Sequence, residues 1–180
     1  MSVLETDYWT TPTDVTKGII KFLEHYNEIS WQGQEYDLDC CANEFNTKVK
    51  DNFITEDQNA LKVDWNGKRI WCNPPYSRGN VETFINKAIE QVQQSAKDVI
   101  MLLNVDPSTK YFAKIVQNAK AIVYVTGGRI KFIDMWTGGV GTSPTKASMF
   151  VLFSSRKIPT EFVRSYYVDL KALEQAGGNS

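Results

Sequence analysis

The tetrapeptide Asn73-Pro74-Pro75-Tyr76 contains residue types that can hold a planar amine. Two successive prolines fix φ, remove two backbone donors and favour an extended conformation at Asn73. The side-chain oxygen of Asn73 and the carbonyl of Pro74 can then accept hydrogen bonds from one NH2 group, and Tyr76 offers an aromatic face beside it. The tetrapeptide therefore suits chemistry on the exocyclic amine of a nucleobase.

The N6 amine of adenine is a poor nucleophile because its lone pair is delocalised into the ring. Two acceptors that hold its hydrogens favour a tetrahedral nitrogen, which can attack a positioned methylsulfonium in line. Holding both reactants in that geometry lowers a barrier by roughly 7 to 11 kcal/mol, so no general base of shifted pKa is required. Taken alone, the tetrapeptide is also compatible with a Pro-Pro turn that only ends a strand.

Length and composition are those of a globular protein. The 180 residues, 42% of them hydrophobic, predict a single domain over 1–180 with its own core. No apolar run approaches the roughly 18 residues of a membrane span, and residues 1–13 lack the regions of a signal peptide, so we expect a cytoplasmic protein. Cys40 and Cys41 are distant from Cys72, and His25 is the only histidine, which argues against a disulfide framework or a metal site.

Charge is unevenly distributed along a chain whose net charge is −1. Residues 1–64 contain 13 acidic and 5 basic side chains, whereas residues 108–157 contain 8 basic side chains and 1 acidic one. A protein with one surface for a polyanion would show this asymmetry, and on charge alone a solvated basic face explains it equally well.

The hydrophobic pattern predicts helices that alternate with strands. Helices are expected over 15–26, 81–92, 106–116 and 162–173, and strands over 36–41, 60–63, 69–72, 99–103, 121–125 and 147–153. Thr11 or Thr13 is a plausible N-cap for the first helix. Such alternation predicts an α/β fold with a parallel sheet covered by helices. The Gly-rich segment 127–141 is expected to be either a functional loop or a flexible hairpin tip.

Polar residues follow three of the predicted strands, namely Asp39, Asp64 and Asn73. Ligands of open α/β sheets bind outside the carboxyl ends of the strands, so we expect these residues to share one crevice. Asp64 could bind the amino group of an adenine while Trp65 covers its ring. Each carboxylate is, on its own, equally typical of a solvated surface or a helix cap.

Taken together, the motifs resemble those of the phage-type DNA N6-adenine methyltransferases of the Dam group. The resemblance spans about residues 7–155 and depends on the order of six elements. They are Trp9-Thr10-Thr11-Pro12, Leu38 to Ala42 with Asn46 and Lys48, Asp64-Trp65, Trp71 to Tyr76, Gly128 to Phe132, and the strand near Phe150. The resemblance implies a Rossmann-like S-adenosylmethionine-dependent methyltransferase fold, mostly parallel, with an antiparallel strand near the C-terminus and a helix and tail at 157–180.

The resemblance also implies roles for individual residues. The catalytic turn would consist of Asn73, Pro74, Pro75 and Tyr76, with Tyr76 stacked on the target base. The residues expected to bind S-adenosylmethionine are Trp9, Thr11, Pro12, Asp39, Cys40, Asp64 and Trp65. The chain departs from the family pattern twice: the residues after Asp39 contain no Gly-rich loop, and Asn73 replaces the Asp common in Dam enzymes. The Asn oxygen still accepts the required hydrogen bond.

The implied partner is double-stranded DNA whose target adenine is flipped out of the duplex. Candidate DNA contacts are Arg78, Arg129, Lys131 and Lys146, and the loops around Pro107 and over 127–146 are candidates for sequence reading. No membrane contact is expected, and the chain would act as a monomer or homodimer. Three alternatives stay open, because NPPY turns also occur in methyltransferases of RNA adenine and of protein glutamine, and because a relative could mask restriction sites without catalysis. A phage or prophage that protects its DNA from host nucleases would be the source.

Overall fold

The computed structural model describes residues 9–76, 80–141 and 144–178. Four helices and eight strands occur in this part of the chain. In order they are β1 (Trp9–Thr10), α1 (Thr13–His25), β2 (Leu38–Asp39), β3 (Arg69–Cys72), α2 (Val81–Gln94), β4 (Asp98–Asn104), α3 (Lys110–Asn118), β5 (Ala121–Thr126), β6 (Ile133–Asp134), β7 (Ser148–Ser154), β8 (Arg164–Asp169) and α4 (Leu170–Gly178).

Six strands form one mixed sheet in the order β2-β3-β4-β7-β5-β8. The pairs β2-β3, β3-β4 and β5-β8 are parallel, whereas β7 runs antiparallel to both of its neighbours. β1 and β6 form a separate antiparallel pair. These observations confirm an α/β fold with a mostly parallel sheet and an antiparallel strand near the C-terminus.

The central strands are buried on both faces, as continuous apolar runs predict. Every residue of β7, and all of β4 except Asn104, is buried. Helix α2 covers one face through Phe84 and Ile85, and helix α1 covers the other through Ile19 and Leu23. The sheet is therefore a rigid layer whose strand ends can position functional groups.

Two predicted elements are wrong. Residues 60–63 form turns and not a strand, after Asn59, whose φ is 56° and whose side chain accepts a hydrogen bond from the Leu61 amide at 3.1 Å. The predicted C-terminal helix is a strand over Arg164–Asp169 followed by a shorter helix. The reason is that six residues of β8 pair in parallel register with β5, which buries Val168 and overrides the helical spacing of the apolar positions.

The first helix is not capped as predicted. Pro12 occupies the N-cap position without a side-chain cap, and Thr13 is the first helical residue. Helix α4 packs against α1 through two glycines: a Cβ at Gly177 would overlap the Asp14 carbonyl, and a Cβ at Gly18 would overlap the Leu173 carbonyl. The close crossing of the two helices requires both glycines.

The basic residues of segment 108–157 do not lie on one face. Lys120 and Arg156 lie at the amino ends of the parallel strands, where both side chains donate to the Glu28 carbonyl, at 2.6 and 2.8 Å. Arg129 and Lys146 lie at the opposite edge of the sheet, beyond β5 and before β7. The prediction of a single basic surface therefore holds for only part of the segment. In the described part of the chain, no helix has the length and hydrophobicity needed to span a membrane.

Candidate active site

The carboxyl ends of β2, β3 and β4 meet at one edge of the sheet. The register pairs Asp39 with Trp71 and Cys72 with Met101, so the residues after each strand become neighbours. The Cys40 amide donates to the Trp71 carbonyl at 3.0 Å, which extends the pairing to the last residues before Asn73. Asp39 and Asn73 therefore lie at neighbouring strand ends, as expected for parallel strands.

The Asn73-Pro74-Pro75-Tyr76 turn follows β3 directly. Pro74 is buried, while Asn73 is partly exposed and its side chain has no hydrogen-bond partner among the described residues. The Tyr76 hydroxyl donates to the Leu102 carbonyl of β4 at 2.8 Å, and burial raises the pKa of this phenol. The Tyr76 side chain is thus held at its hydroxyl while 41% of the residue remains exposed. The turn presents an available acceptor next to an anchored aromatic ring.

The N-terminal motif contacts the loop that follows β2. The Thr10 hydroxyl donates to the Asn46 carbonyl at 2.9 Å and accepts from Lys48 Nζ at 2.6 Å. Asn46 Nδ2 also donates to the Trp9 carbonyl at 3.4 Å. Two segments that the sequence separates by more than 30 residues, 9–10 and 46–48, are therefore joined into one wall beside Asp39.

Asp39 organises this wall from inside the protein. Its side chain is 2% exposed, and its two oxygens accept from the Lys48 amide at 2.9 Å and the Cys41 amide at 3.3 Å. Burial raises the pKa of Asp39 to about 7, and burial lowers the pKa of Lys48 to about 8. The carboxylate therefore fixes the conformation of residues 40–48 and does not extend into solvent.

Thr11 has an unsatisfied polar atom in the same region. The residue is 2% exposed, and its hydroxyl oxygen has no hydrogen-bond partner among the described residues. A buried hydroxyl without a partner costs about 1 to 3 kcal/mol, which a ligand contact would offset. Trp9 lies nearby and packs against Gly141, where a Cβ would come within 3.1 Å of the indole. Thr11, Pro12 and Trp9 thus fit a role in holding a ligand.

Asp64 and Trp65 do not join the site, which corrects the prediction made for them. Trp65 is fully buried in the core, where its indole donates to the Ala60 carbonyl at 2.9 Å and its amide donates to Gln91 at 2.8 Å. Asp64 is exposed. Because 60–63 is not a strand, the pair precedes β3 and lies toward the amino edge of the sheet, and Trp65 has no surface left to cover a ring.

Three thiols lie close together next to the Asn73-Pro74-Pro75-Tyr76 turn, a feature that the sequence analysis missed. Cys40 Sγ lies 3.8 Å from Cys41 Sγ, and Cys41 Sγ lies 3.9 Å from Cys72 Sγ. Cys40 and Cys72 are fully buried in the core, so the expected contact of the Cys40 side chain with cofactor is not supported. Burial raises the pKa of Cys40 and of Cys72. Burial also acts to raise the pKa of Cys41, but hydrogen bonds from the other two thiols outweigh it and lower this pKa to about 6.

The segment after β5 exposes basic side chains at the same edge of the sheet. Gly127 has a φ of 75°, and a Cβ there would overlap the Asp169 carboxylate, so the turn requires glycine. Ile130 is then fully buried, while Arg129 and Lys131 on either side of it are exposed. This alternation anchors the segment and directs both basic groups outward.

The remaining DNA-contact candidates differ in their surroundings. Lys146 forms an ion pair with Asp106 at 2.8 Å, at the end of β4, and Arg129 donates to the Pro144 carbonyl at 3.1 Å. Arg78 lies outside the described residues. The β6 hairpin (residues 133–140) pairs with β1 and leaves 76% of Trp136 exposed. The hairpin is therefore attached directly to the N-terminal motif.

Comparison with known proteins identifies the family of this chain. The family model described as DNA N-6-adenine-methyltransferase (Dam) matches residues 2–180. A DNA N-6-adenine-methyltransferase of Haemophilus phage HP1 (strain HP1c1) is 44% identical over 173 residues, which are 96% of this chain and 92% of that protein. A DNA N-6-adenine-methyltransferase of Escherichia phage T1 is 34% identical over 184 aligned residues, which cover 93% of this chain and 70% of that protein. The chain belongs to the DNA N-6-adenine-methyltransferase (Dam) family.

Proposed function

We propose that this protein transfers a methyl group from S-adenosylmethionine to the N6 amine of adenine in double-stranded DNA. The observation that carries the proposal is the Asn73 amide, which follows β3 at its carboxyl end and has no partner among the described residues, in the same turn as the anchored Tyr76. Family membership and the two phage relatives support the same reaction. The α/β fold is then of the Rossmann-like methyltransferase type, with the cofactor and the base on either side of the catalytic turn.

The catalytic turn would act by orienting the amine. Asn73 Oδ1 and the Pro74 carbonyl accept one hydrogen each from the adenine NH2, which localises the nitrogen lone pair. Tyr76 stacks on the base, and its hydrogen bond to the Leu102 carbonyl keeps the ring in place. S-adenosylmethionine, when bound, supplies an electrophilic methyl group; the nitrogen forms the new N–C bond, the C–S electron pair goes to sulfur, and the amine loses one proton to solvent.

The wall formed by Trp9, Thr11, Pro12 and residues 40–48 would hold the cofactor. The buried Thr11 hydroxyl has no partner among the residues that the structure describes, and the Asp39 carboxylate holds the loop opposite it. Since this loop contains no glycine, its shape is set by the two amides that Asp39 binds and not by backbone freedom. A cofactor at this place would be next to Asn73, as methyl transfer requires.

The surface beyond β5 would contact DNA. Arg129 and Lys131 are exposed, and phosphate contacts by such groups position a duplex without reading its sequence. The β6 hairpin presents Trp136 next to them, and an exposed apolar side chain can fill the space that a flipped base leaves. Lys146 would contribute less, because its ammonium is already paired with Asp106. A phage or prophage would use the activity to protect its DNA from restriction.

The test is mass spectrometry of nucleosides after incubation with labelled S-adenosylmethionine and unmethylated duplex DNA. We expect labelled N6-methyldeoxyadenosine with the wild-type protein and with Gln93→Ala, an exposed amide change on α2 far from the site. Asn73→Ala should reduce product below detection while its binding of S-adenosylmethionine in calorimetry stays close to wild type. Full turnover by Asn73→Ala would refute the assignment of the catalytic turn.

Parallel incubations separate the alternatives. Label in structured RNA alone would identify RNA as the substrate, and label in protein glutamine alone would identify a protein as the substrate. A protein that binds duplex DNA but not S-adenosylmethionine would be a non-catalytic relative that masks sites. The outward basic groups Arg129 and Lys131 favour a nucleic acid over a protein substrate.

A further inference from the structure

We propose that Cys40, Cys41 and Cys72 form a binding site for one zinc ion. The three Sγ atoms all lie within 4.8 Å of one another, with two of the separations at 3.8 and 3.9 Å. Thiolates bound to zinc at ~2.3 Å in tetrahedral geometry lie about 3.8 Å apart. A disulfide would instead require two sulfurs at about 2.05 Å, so the cluster is far closer to a ligand set than to a disulfide.

The convergence of Cys40 and Cys41 is unusual for adjacent residues. Successive side chains of an extended chain point to opposite faces, so neighbouring cysteines in a strand would diverge. Here the chain leaves β2 at Asp39, and the loop held by the Asp39 carboxylate turns both thiols toward Cys72. Buried cysteines that only filled the core as small hydrophobic residues would not need this turn.

The surroundings also provide a route for the ion. Cys41 is partly exposed, whereas Cys40 and Cys72 are buried, so an ion can enter from the Cys41 side. Three protein ligands leave one position for water or another ligand. Each thiol that binds gives its proton to solvent, and no oxidation occurs. The bound ion would connect the loop after β2 to the residue that precedes Asn73, independently of whether the protein methylates DNA.

The test uses the reduced full-length protein and Cd²⁺ as a spectroscopic probe for zinc. We expect a thiolate-to-cadmium charge-transfer absorption that saturates at one equivalent and is removed by a chelator. Mass spectrometry after alkylation should find the partly exposed Cys41 thiol protected in the zinc-loaded protein and reactive after chelation. A native mass spectrum should show one zinc per chain.

Single substitutions test the ligand set. Cys72→Ala and Cys41→Ser should each weaken zinc binding by at least about tenfold, since even the loss of a group that only supports a ligand costs about 10-fold to 100-fold. Cys41→Ser keeps the core intact if Cys72→Ala fails to fold, because Cys41 is only partly buried. Thr47→Ala, in the same loop but without a thiol, is the control and should bind zinc as the wild type does. Absence of a charge-transfer band, a disulfide in the reduced protein, or unchanged zinc affinity in Cys41→Ser would overturn the proposal.

Discussion

Replacing Asp39 by asparagine tests whether the buried carboxylate builds the cofactor wall. Its two oxygens accept from the amides of Lys48 and Cys41, whereas an asparagine has one oxygen and presents an NH2 group to the second amide. At pH 8, above the pKa of about 7, the wild-type residue is mostly a carboxylate. One buried donor then loses its acceptor, which costs about 1 to 3 kcal/mol. If this cost applies only when loop 40–48 is ordered for binding, the affinity for S-adenosylmethionine should fall roughly 5-fold to 150-fold.

The same chain offers a matched control two residues away. Asp37 lies before β2, at the amino edge of the sheet, and one of its oxygens accepts from the amides of Lys68 and Arg69, both at 2.8 Å. Asp37→Asn keeps the one oxygen that binds both amides, removes the ion pair of the other oxygen with Arg69 at 3.3 Å, and does not alter residues 40–48. Both variants should melt lower than the wild type, with about 2 to 4 °C lost per kcal/mol in a chain of this size.

Only Asp39→Asn should change cofactor affinity in isothermal calorimetry at pH 8. The decisive comparison is between the two variants, because both are destabilised. Equal cofactor affinity in Asp39→Asn, Asp37→Asn and the wild type would refute the reasoning that Asp39 shapes the cofactor wall. A loss of affinity in both variants would assign the effect to general destabilisation.

Further substitutions at four positions have defined outcomes. Tyr76→Phe removes the donor to the Leu102 carbonyl but keeps the ring, so steady-state assays should show kcat reduced by up to about fivefold, the value of one hydrogen bond of about 1 kcal/mol, whereas Tyr76→Ala should lose more. Glu28→Gln should lower the free energy of unfolding by about 3 to 5 kcal/mol in urea titrations, because it leaves the buried Lys120 ammonium without its carboxylate partner. Burial acts to raise the pKa of Glu28, but hydrogen bonds outweigh burial and lower it. The stabilisation by Glu28 is therefore present above the unfolded pKa of 4.5 and is lost as the pH falls through the lower folded pKa. The difference in free energy of unfolding between Glu28→Gln and the wild type should therefore shrink in acid. Arg129→Ala and Lys131→Ala should each weaken DNA binding at every sequence and reduce the slope of log affinity against log salt by about one, whereas an unchanged slope in fluorescence anisotropy would place these residues outside the interface.

Local chemistry explains which features the sequence predicts well. The strand 69–72 and the turn after it follow from an apolar run and two prolines, and neither depends on distant residues. Long buried strands such as β4 and β7 are also recognisable, because their apolar runs leave few alternatives. The position of Asn73 at the edge of the sheet is therefore predictable from the sequence alone.

Features that depend on pairing register were not predictable. The apolar spacing of 162–173 suits a helix, and only the ladder between β5 and β8 decides that its first part is a strand. The three thiols meet because Asp39 pairs with Trp71, which places Cys40 and Cys72 on neighbouring strand ends. The sequence predicts Trp65 at the ligand site because it predicts a strand over 60–63. That strand is wrong, so the prediction places a core residue at the wrong edge of the sheet.

The amino edge of the sheet contains groups that stabilise the fold, whereas the carboxyl edge contains groups that would bind ligand. At the amino edge, the fully buried Glu28 carboxylate binds Lys120 and Arg164, with nitrogen-to-oxygen distances of 3.2 and 3.0 Å, and it ties β5 and β8 to the segment after α1. At the carboxyl edge, the buried Thr11 hydroxyl has no partner among the described residues, which costs stability that a ligand contact would restore, whereas the partly exposed Asn73 amide can bind water. Ligand should therefore stabilise the protein through the carboxyl edge alone: S-adenosylmethionine should raise the melting temperature of Glu28→Gln by as much as that of the wild type, and a Glu28→Gln variant with no such shift would show that the two edges are coupled.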